Sequence, residues 1–428
     1  MEKSIFKFIK PILILTLIIL FFACKNGIFE ERTFMANVPK YLSYEELRSA
    51  VKSVDEQTLV NPGKIYFKDN YLFINDIFKG IHIIDNSDVS NPEIIAFIEI
   101  PGNIDIAIKD NILFADSYID LVAIDISDFS NIHEVARIEE IFIYAMPEYD
   151  WEYPLAQIDD QKGVIVDWET KEVTETQEVD GNWFGGKEIM LMDATEANYS
   201  GGGDNQASVG VAGSMARFTI FENYLYTINQ SDILLVAIDE PTNPMSETKV
   251  AVERDIETLF VLEDKLFIGS TTGMIIYDLQ NAASPSFISE ITHFTSCDPV
   301  VVAGDYAYVT LHSGNRCGGF SNQLDVINIS DLYMPVLEET YEMYNPFGLG
   351  IDNGTLFICD GDAGLKIYDA SNPPYEIDQH LIASYPGINA YDIIPYNNIA
   401  MMIGEDGLYQ YDYSELDSLV LLSEILVD

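Results

Sequence analysis

From residue 63 to the C-terminus the sequence repeats one pattern seven times. A period near 40 residues limits the chain to architectures that grow by adding equal units. Each copy has an apolar strand, then a turn with Asn or Asp leading into a Leu-aromatic strand. A strand ending in Asp follows, then a turn, often with Pro, and a final strand. The second part reads Asn70-Tyr71-Leu72-Phe73, Asn111-Ile112-Leu113-Phe114, Asn223-Tyr224-Leu225-Tyr226, Asp264-Lys265-Leu266-Phe267, Asp305-Tyr306-Ala307-Tyr308, Gly354-Thr355-Leu356-Phe357 and Asn398-Ile399-Ala400-Met401. The third part ends at Asp85, Asp125, Asp239, Asp278, Asn328, Asp369 and Asp412, at intervals of 40, 114, 39, 50, 41 and 43 residues. One interval therefore holds an insertion. Four short antiparallel strands per unit, closed on themselves through seven copies, predict an all-β fold, a seven-bladed β-propeller of four-stranded antiparallel blades. The strands read as hairpins within a unit, which disfavours a solenoid.

Turn chemistry accounts for the repeated residues without a ligand. Asp or Asn at a strand end accepts from a backbone N–H two residues on, and Ser supports the same bend. Pro92, Pro244, Pro285, Pro335 and Pro374 sit where a strand begins and no ladder donor is needed. Gly80, Gly273, Gly364 and Gly407 mark the turn before the third strand. The recurrent Asp residues are read as structural, and each Leu-aromatic pair as buried between neighbouring blades.

The segments Ile81-His82-Ile83-Ile84-Asp85, Leu121-Val122-Ala123-Ile124-Asp125, Leu235-Val236-Ala237-Ile238-Asp239, Met274-Ile275-Ile276-Tyr277-Asp278 and Leu365-Lys366-Ile367-Tyr368-Asp369 resemble the LVIVD repeats of bacterial surface proteins. That resemblance implies a propeller and an envelope address in a Gram-negative cell, and no particular activity. The last unit leaves no spare strand for the first blade, so ring closure is expected to use residues around 55 to 61.

The N-terminus reads as an address. Lys3, Lys7 and Lys10 precede an apolar run from Pro11 to Ala23, too short to span a membrane comfortably. Phe21-Phe22-Ala23-Cys24 resembles a bacterial lipobox, which implies a signal peptide over residues 1–23 and lipidation, palmitate included, at Cys24. Acyl chains contribute about 0.8 kcal/mol per buried CH₂ and would hold the protein at a membrane. By the same resemblance, Lys25 favours the outer membrane, at the cell surface or on the periplasmic side. Residues 24–62 read as a tether with one short helix of two or three turns, capped by Ser43 and followed by Leu47, Ala50 and Val51. The formal net charge of −48 excludes nucleic acid and anionic headgroups as partners. A monomeric ring is expected.

Function is sought where the repeat breaks. The insertion, residues 143–212 within the propeller of residues 63–428, holds all three tryptophans, Trp151, Trp168 and Trp183, with Tyr153 and Phe184. Clustered aromatics suit a sugar face or a partner's apolar anchor, or else fill a small core of their own. The insertion ends in glycine-rich sequence, Ser200-Gly201-Gly202-Gly203 and Gly210-Val211-Ala212-Gly213, without the spacing of a phosphate loop. In the stretched fifth unit, Cys297 and Cys317 read as a disulfide bracing a loop that carries Arg316; Cys359 reads as a buried thiol. No catalytic residue is assigned and no cofactor is expected apart from Ca²⁺, for which Asp360 and Asp362 are weak candidates. The favoured reading is a non-catalytic, lipid-anchored propeller that binds or scaffolds a protein or glycan. The alternatives are a hydrolase or lyase with a site at the central channel, and a periplasmic scaffold for outer-membrane assembly.

Overall fold

The computed structural model describes residues 29–142, 145–147, 149–178, 192–193, 211–229, 231–252, 255–292, 299–312, 321–371 and 375–428. Seven antiparallel sheets follow one another along the chain. Blade 1 runs through Pro62–Lys68, Tyr71–Asp76, Gly80–Asp85 and Glu93–Glu99, from innermost to outermost strand. The innermost strands of the later blades are Ile106–Lys109, Phe218–Phe221, Ile256–Leu262, Val300–Ala303, Leu349–Asp352 and Ala390–Tyr396. Each touches its neighbours on both sides, and the last returns to the first. The ring is a closed seven-bladed propeller.

Alternation along the second strand binds the blades together. Leu72 packs towards blade 7, with Ile394 and Met401, while Phe73 packs towards blade 2, with Ile106 and Leu113. The pattern repeats at Leu113 and Phe114, Leu225 and Tyr226, Leu266 and Phe267, and Leu356 and Phe357. Successive side chains of a strand face opposite sides, so each Leu meets the preceding blade and each aromatic the following one.

The turns form as their residues dictate. Ser87, Ser127, Ser330, Ser371 and Ser414 donate backbone N–H to Asp85, Asp125, Asn328, Asp369 and Asp412 at 2.8–3.0 Å. Gln280 does the same to Asp278. Pro92, Pro244, Pro285 and Pro335 each directly precede an outermost strand. Gly80 has φ +150°, and a Cβ there would lie 1.9 Å from the Ile98 carbonyl oxygen. A register shift interrupts the pairing of the outermost strand in every blade, a bulge that twists the exposed edge.

Ring closure uses no borrowed strand. Asp428 N–H donates to the Leu59 carbonyl at 3.1 Å, and Leu59 is buried with Leu408 of blade 7. Asn86 and Gln410 exchange side-chain hydrogen bonds at 2.9 and 2.7 Å across the same seam. Lys52–Val54 adds a strand outside Glu93–Glu99.

The stretch before the ring holds more structure than its sequence suggests. Phe29–Leu42 is a 14-residue strand, paired with the 15-residue Val164–Glu178 of the insertion. The Ser43-capped helix is present with its capping box, but it ends at Arg48, where Ser49 caps it, rather than continuing to Val51. The chain divides into two compact units. Of the described residues, one unit comprises 29–40, 149–159 and 167–178; the other contains the propeller.

Candidate functional site

Of the aromatic residues read as a binding surface, Trp151, Tyr153 and Trp168 are described; Trp183 and Phe184 lie outside the described residues, as do Arg316, Cys297, Cys317 and Cys24. The three are not equivalent. Trp168 is 9% exposed and packs on Tyr149, ring centroids 5.7 Å apart, whereas Trp151 is 84% exposed. Tyr153 is half-buried. Trp168 thus fills the small core and Trp151 faces water. The turn that carries Trp151 is held from below by Asn37, whose amide donates to the carbonyls of Asp150 at 2.7 Å and Tyr153 at 2.8 Å. Asn37 Oδ1 accepts from Thr170 Oγ1 at 3.2 Å, and Glu152 N–H donates to Asp150 Oδ1 at 3.0 Å.

A second constellation lies at the ring axis, and it was not assigned from the sequence. Six residues before the hairpin positions Asn70, Asn111, Asn223, Asp264, Asp305, Gly354 and Asn398 stand Lys64, Asp105, Arg217, Thr258, Pro299, Gly348 and Asp392. All sit at or near the start of an innermost strand. Through blades 7, 1, 2 and 3 acidic and basic residue types alternate as Asp392, Lys64, Asp105 and Arg217. Lys64 Nζ lies 3.0 Å from Asp105 Oδ2, both side chains almost fully buried. Next to Asp105, Asp116 Oδ1 accepts from the Ile104 and Asp105 N–H groups and from the Asn103 amide, at 2.8–2.9 Å.

The end of the insertion passes through this cluster. Val211 and Ala212 pair antiparallel with Phe67 and Tyr66, as an extra strand inside blade 1. Ser214 Oγ donates to Asp392 Oδ1 at 3.1 Å and accepts from Leu349 N–H at 2.7 Å. The Met215 carbonyl accepts from Lys64 Nζ at 2.9 Å, and that of Ala216 from Leu259 N–H at 2.9 Å. Arg217 N–H donates to Asp105 Oδ2. Residues 211–217 are therefore held by blades 1, 2, 4, 6 and 7 before the chain enters blade 3. Gly348 makes room, since a Cβ there would lie 2.2 Å from Asp392 Oδ1.

Burial sets the protonation of this cluster. It lowers Lys64 to about 8, with the Asp105 charge opposing. It raises Asp392 to about 7 and Asp116 to about 6, each against the pull of backbone donors. Asp392 Oδ2 is buried with no hydrogen-bond partner, as suits a carboxyl that keeps its proton.

Elsewhere, Asp360 is buried, accepts from the Tyr344 and Asn345 N–H groups at 3.0 and 2.8 Å, and pairs with the Lys366 ammonium; Asp362 is exposed. Lys366 supplies at Asp360 the positive charge that calcium would bring. Among the described residues no group of three or more His, Cys, Asp or Glu is arranged to hold a metal. Cys359 is a buried free thiol whose pKa burial pushes well up, which leaves it unreactive.

Compared with the curated proteins by sequence, the chain has no match. Among solved structures it is similar to a periplasmic gluconolactonase of Pseudomonas aeruginosa, with TM-score 0.54 and 9% identity over 85% of this chain and 96% of that one. It is also similar to a protein from Lactobacillus plantarum, with TM-score 0.52 and 11% identity over 86% and 96%. Identities this low show a shared fold and nothing of chemistry. The family model of the LVIVD repeat matches residues 63–97, 104–139 and 296–343, which cover blades 1, 2 and 5. LVIVD repeats thus lie in blades 1, 2 and 5 of a closed ring of seven blades, each built on four antiparallel strands.

Proposed function

We propose that this protein is a lipid-anchored component of the cell envelope, with a rigid, non-catalytic ring whose insertion contacts a protein or a glycan. The observation that carries this reading is at the axis. Polar groups that a propeller could turn towards a substrate are engaged by the chain itself: Asp105 by Lys64 and the Arg217 N–H, Asp392 Oδ1 by Ser214, and the Leu349 and Leu259 N–H groups by Ser214 and Ala216. Among the described residues the most exposed large apolar side chain is on the insertion, at Trp151, 84% exposed. Lipidation at Cys24 and an outer-membrane address belong to the same proposal and rest on the N-terminal sequence.

A second reading, a hydrolase or lyase acting at the channel, draws on Asp392 and Asp116, whose carboxyls keep their protons closer to neutrality than ordinary acids. It requires residues 211–217 to leave the axis. Recovery of the wild type, Trp151→Ala and Asp392→Asn from native envelopes separates the two. The binding reading expects Trp151→Ala to lose the co-purifying partner and Asp392→Asn to keep it; the reverse pattern would favour the enzyme. Palmitate labelling lost in Cys24→Ser would test the anchor, and unchanged labelling would refute it.

A further inference from the structure

We infer that the Asp150–Tyr153 turn is an anchor for a cationic protein surface, with Trp151 entering an apolar socket whose rim carries Lys or Arg. This rests on the reading above that the insertion makes the contact. Three observations define the partner. First, the turn is preorganised: Asn37 fixes the carbonyls of Asp150 and Tyr153, and the Asp150 carboxylate fixes Glu152 N–H. A rigid Trp loses little freedom when it docks, so more of its contact energy appears as affinity. Second, Trp151 is surplus to its own unit, because Trp168 and Tyr149 already pack there while Trp151 stays 84% exposed. Third, the surroundings are acidic. Residues 29–40, 149–159 and 167–178 contain ten acidic and three basic side chains, and Asp150 and Glu152 flank the tryptophan. Lys40 and Lys171 are already paired, with Asp167 at 2.6 Å and Glu169 at 2.9 Å. A neutral sugar would gain from the ring face but nothing from this excess charge, and an anionic glycan would be repelled. A basic protein surface gains from both, and the charge of the whole chain speeds its approach.

The test uses the full chain and three probes: an amphipathic peptide of alternating Lys and Leu, its Glu and Leu counterpart, and a neutral chitin oligosaccharide. Binding is followed by calorimetry for the wild type, Trp151→Ala and Trp151→Phe. The inference expects the Lys peptide to bind and to weaken at least about tenfold in Trp151→Ala, with partial recovery in Trp151→Phe. It also expects weakening as salt rises from about 0.05 to about 0.5 M. The Glu peptide and the oligosaccharide should not bind. Binding of the oligosaccharide through Trp151, without the Lys peptide, would overturn the partner class and leave the proposed function standing. Lys-peptide binding that is indifferent to Trp151 would overturn the anchor. If no probe depends on Trp151, and the envelope partner also survives Trp151→Ala, the proposed function falls with it.

Discussion

Asp105→Asn removes the charge that neutralises Lys64 and keeps one oxygen of two: the amide oxygen can still accept from Ile106 N–H, as Oδ1 does now, while an NH₂ replaces the Oδ2 that accepts from Arg217 N–H and Lys64 Nζ. Both side chains are almost fully buried, 3.0 Å apart. Removing one partner of such a pair costs about 3–5 kcal/mol, because the remaining charge stays out of water. That is two to nearly four powers of ten in the equilibrium that opens the axis. Burial already lowers Lys64 from 10.5 to about 8, so its proton decides when the cost applies. Below pH 8 the wild-type ammonium is charged and paired, and the substitution bears the full loss. Above pH 8 the wild-type amine is itself neutral, the pair is gone in both proteins, and the difference shrinks. Hydrogen exchange of the segment 211–217, compared between the two proteins at about pH 6 and again at about pH 9, reads this directly. The expected result is a large loss of protection at the lower pH and a small one at the higher. Equal losses at both, or a loss under about 1 kcal/mol at the lower pH, would refute the account of this pair.

Other substitutions probe the remaining layers. Phe73→Ala should cost about 3–5 kcal/mol in thermal or chemical unfolding, since the ring fills the seam between blades 1 and 2. Gly80→Ala should destabilise far more than Gly304→Ala, where φ is +58° but nothing lies within 4 Å of the added Cβ. Trp168→Ala should lower the melting temperature and Trp151→Ala should not, as follows from their burial. Two sets of acids shape the response to pH. Asp392 and Asp116 have folded pKa values raised to about 7 and about 6, so they favour the fold most at low pH and lose that contribution as pH rises through those values. Asp85, Asp125, Asp369 and Asp412 are lowered by their serine partners, so their contribution is lost as pH falls below the usual carboxylate range. Melting temperature should therefore peak in mildly acidic solution, and Asp392→Asn should flatten its decline towards neutrality.

The ring was legible because its rules are local. An Asp two residues before a Ser, a Pro at a strand start and a Leu-aromatic pair each act within a few residues, and seven copies repeat them. The axis was not legible for the opposite reason. Lys64, Asp105, Arg217 and Asp392 lie in four different repeats, and Thr258, Pro299 and Gly348 occupy the same place in the others. Only superposing the repeats at a fixed offset from the hairpin residue would have brought them together. Gly210-Val211-Ala212-Gly213 shows in the sequence only as glycine-rich, because small residues carry no amphipathic period, yet Val211 and Ala212 form a strand inside the ring. Small side chains suit a segment that lies close to the innermost strands. Phe29–Leu42 was read as part of a tether because its partner, Val164–Glu178, is more than a hundred residues away in an insertion with no repeat to reveal the pairing. Within that insertion the aromatic cluster was visible, but which tryptophan was core and which was free depended on Asn37 and Tyr149.

The central claim is that the axis is closed by the chain's own segment while the insertion offers an open tryptophan position. Thiol labelling of Met215→Cys and Trp151→Cys, with Cys297 and Cys317 replaced by serine, tests both halves together. Met215 is 8% exposed and Trp151 84%. The account predicts immediate labelling at position 151 and none at 215 until the protein is unfolded. Labelling at 215 as fast as at 151 in the folded protein would contradict it.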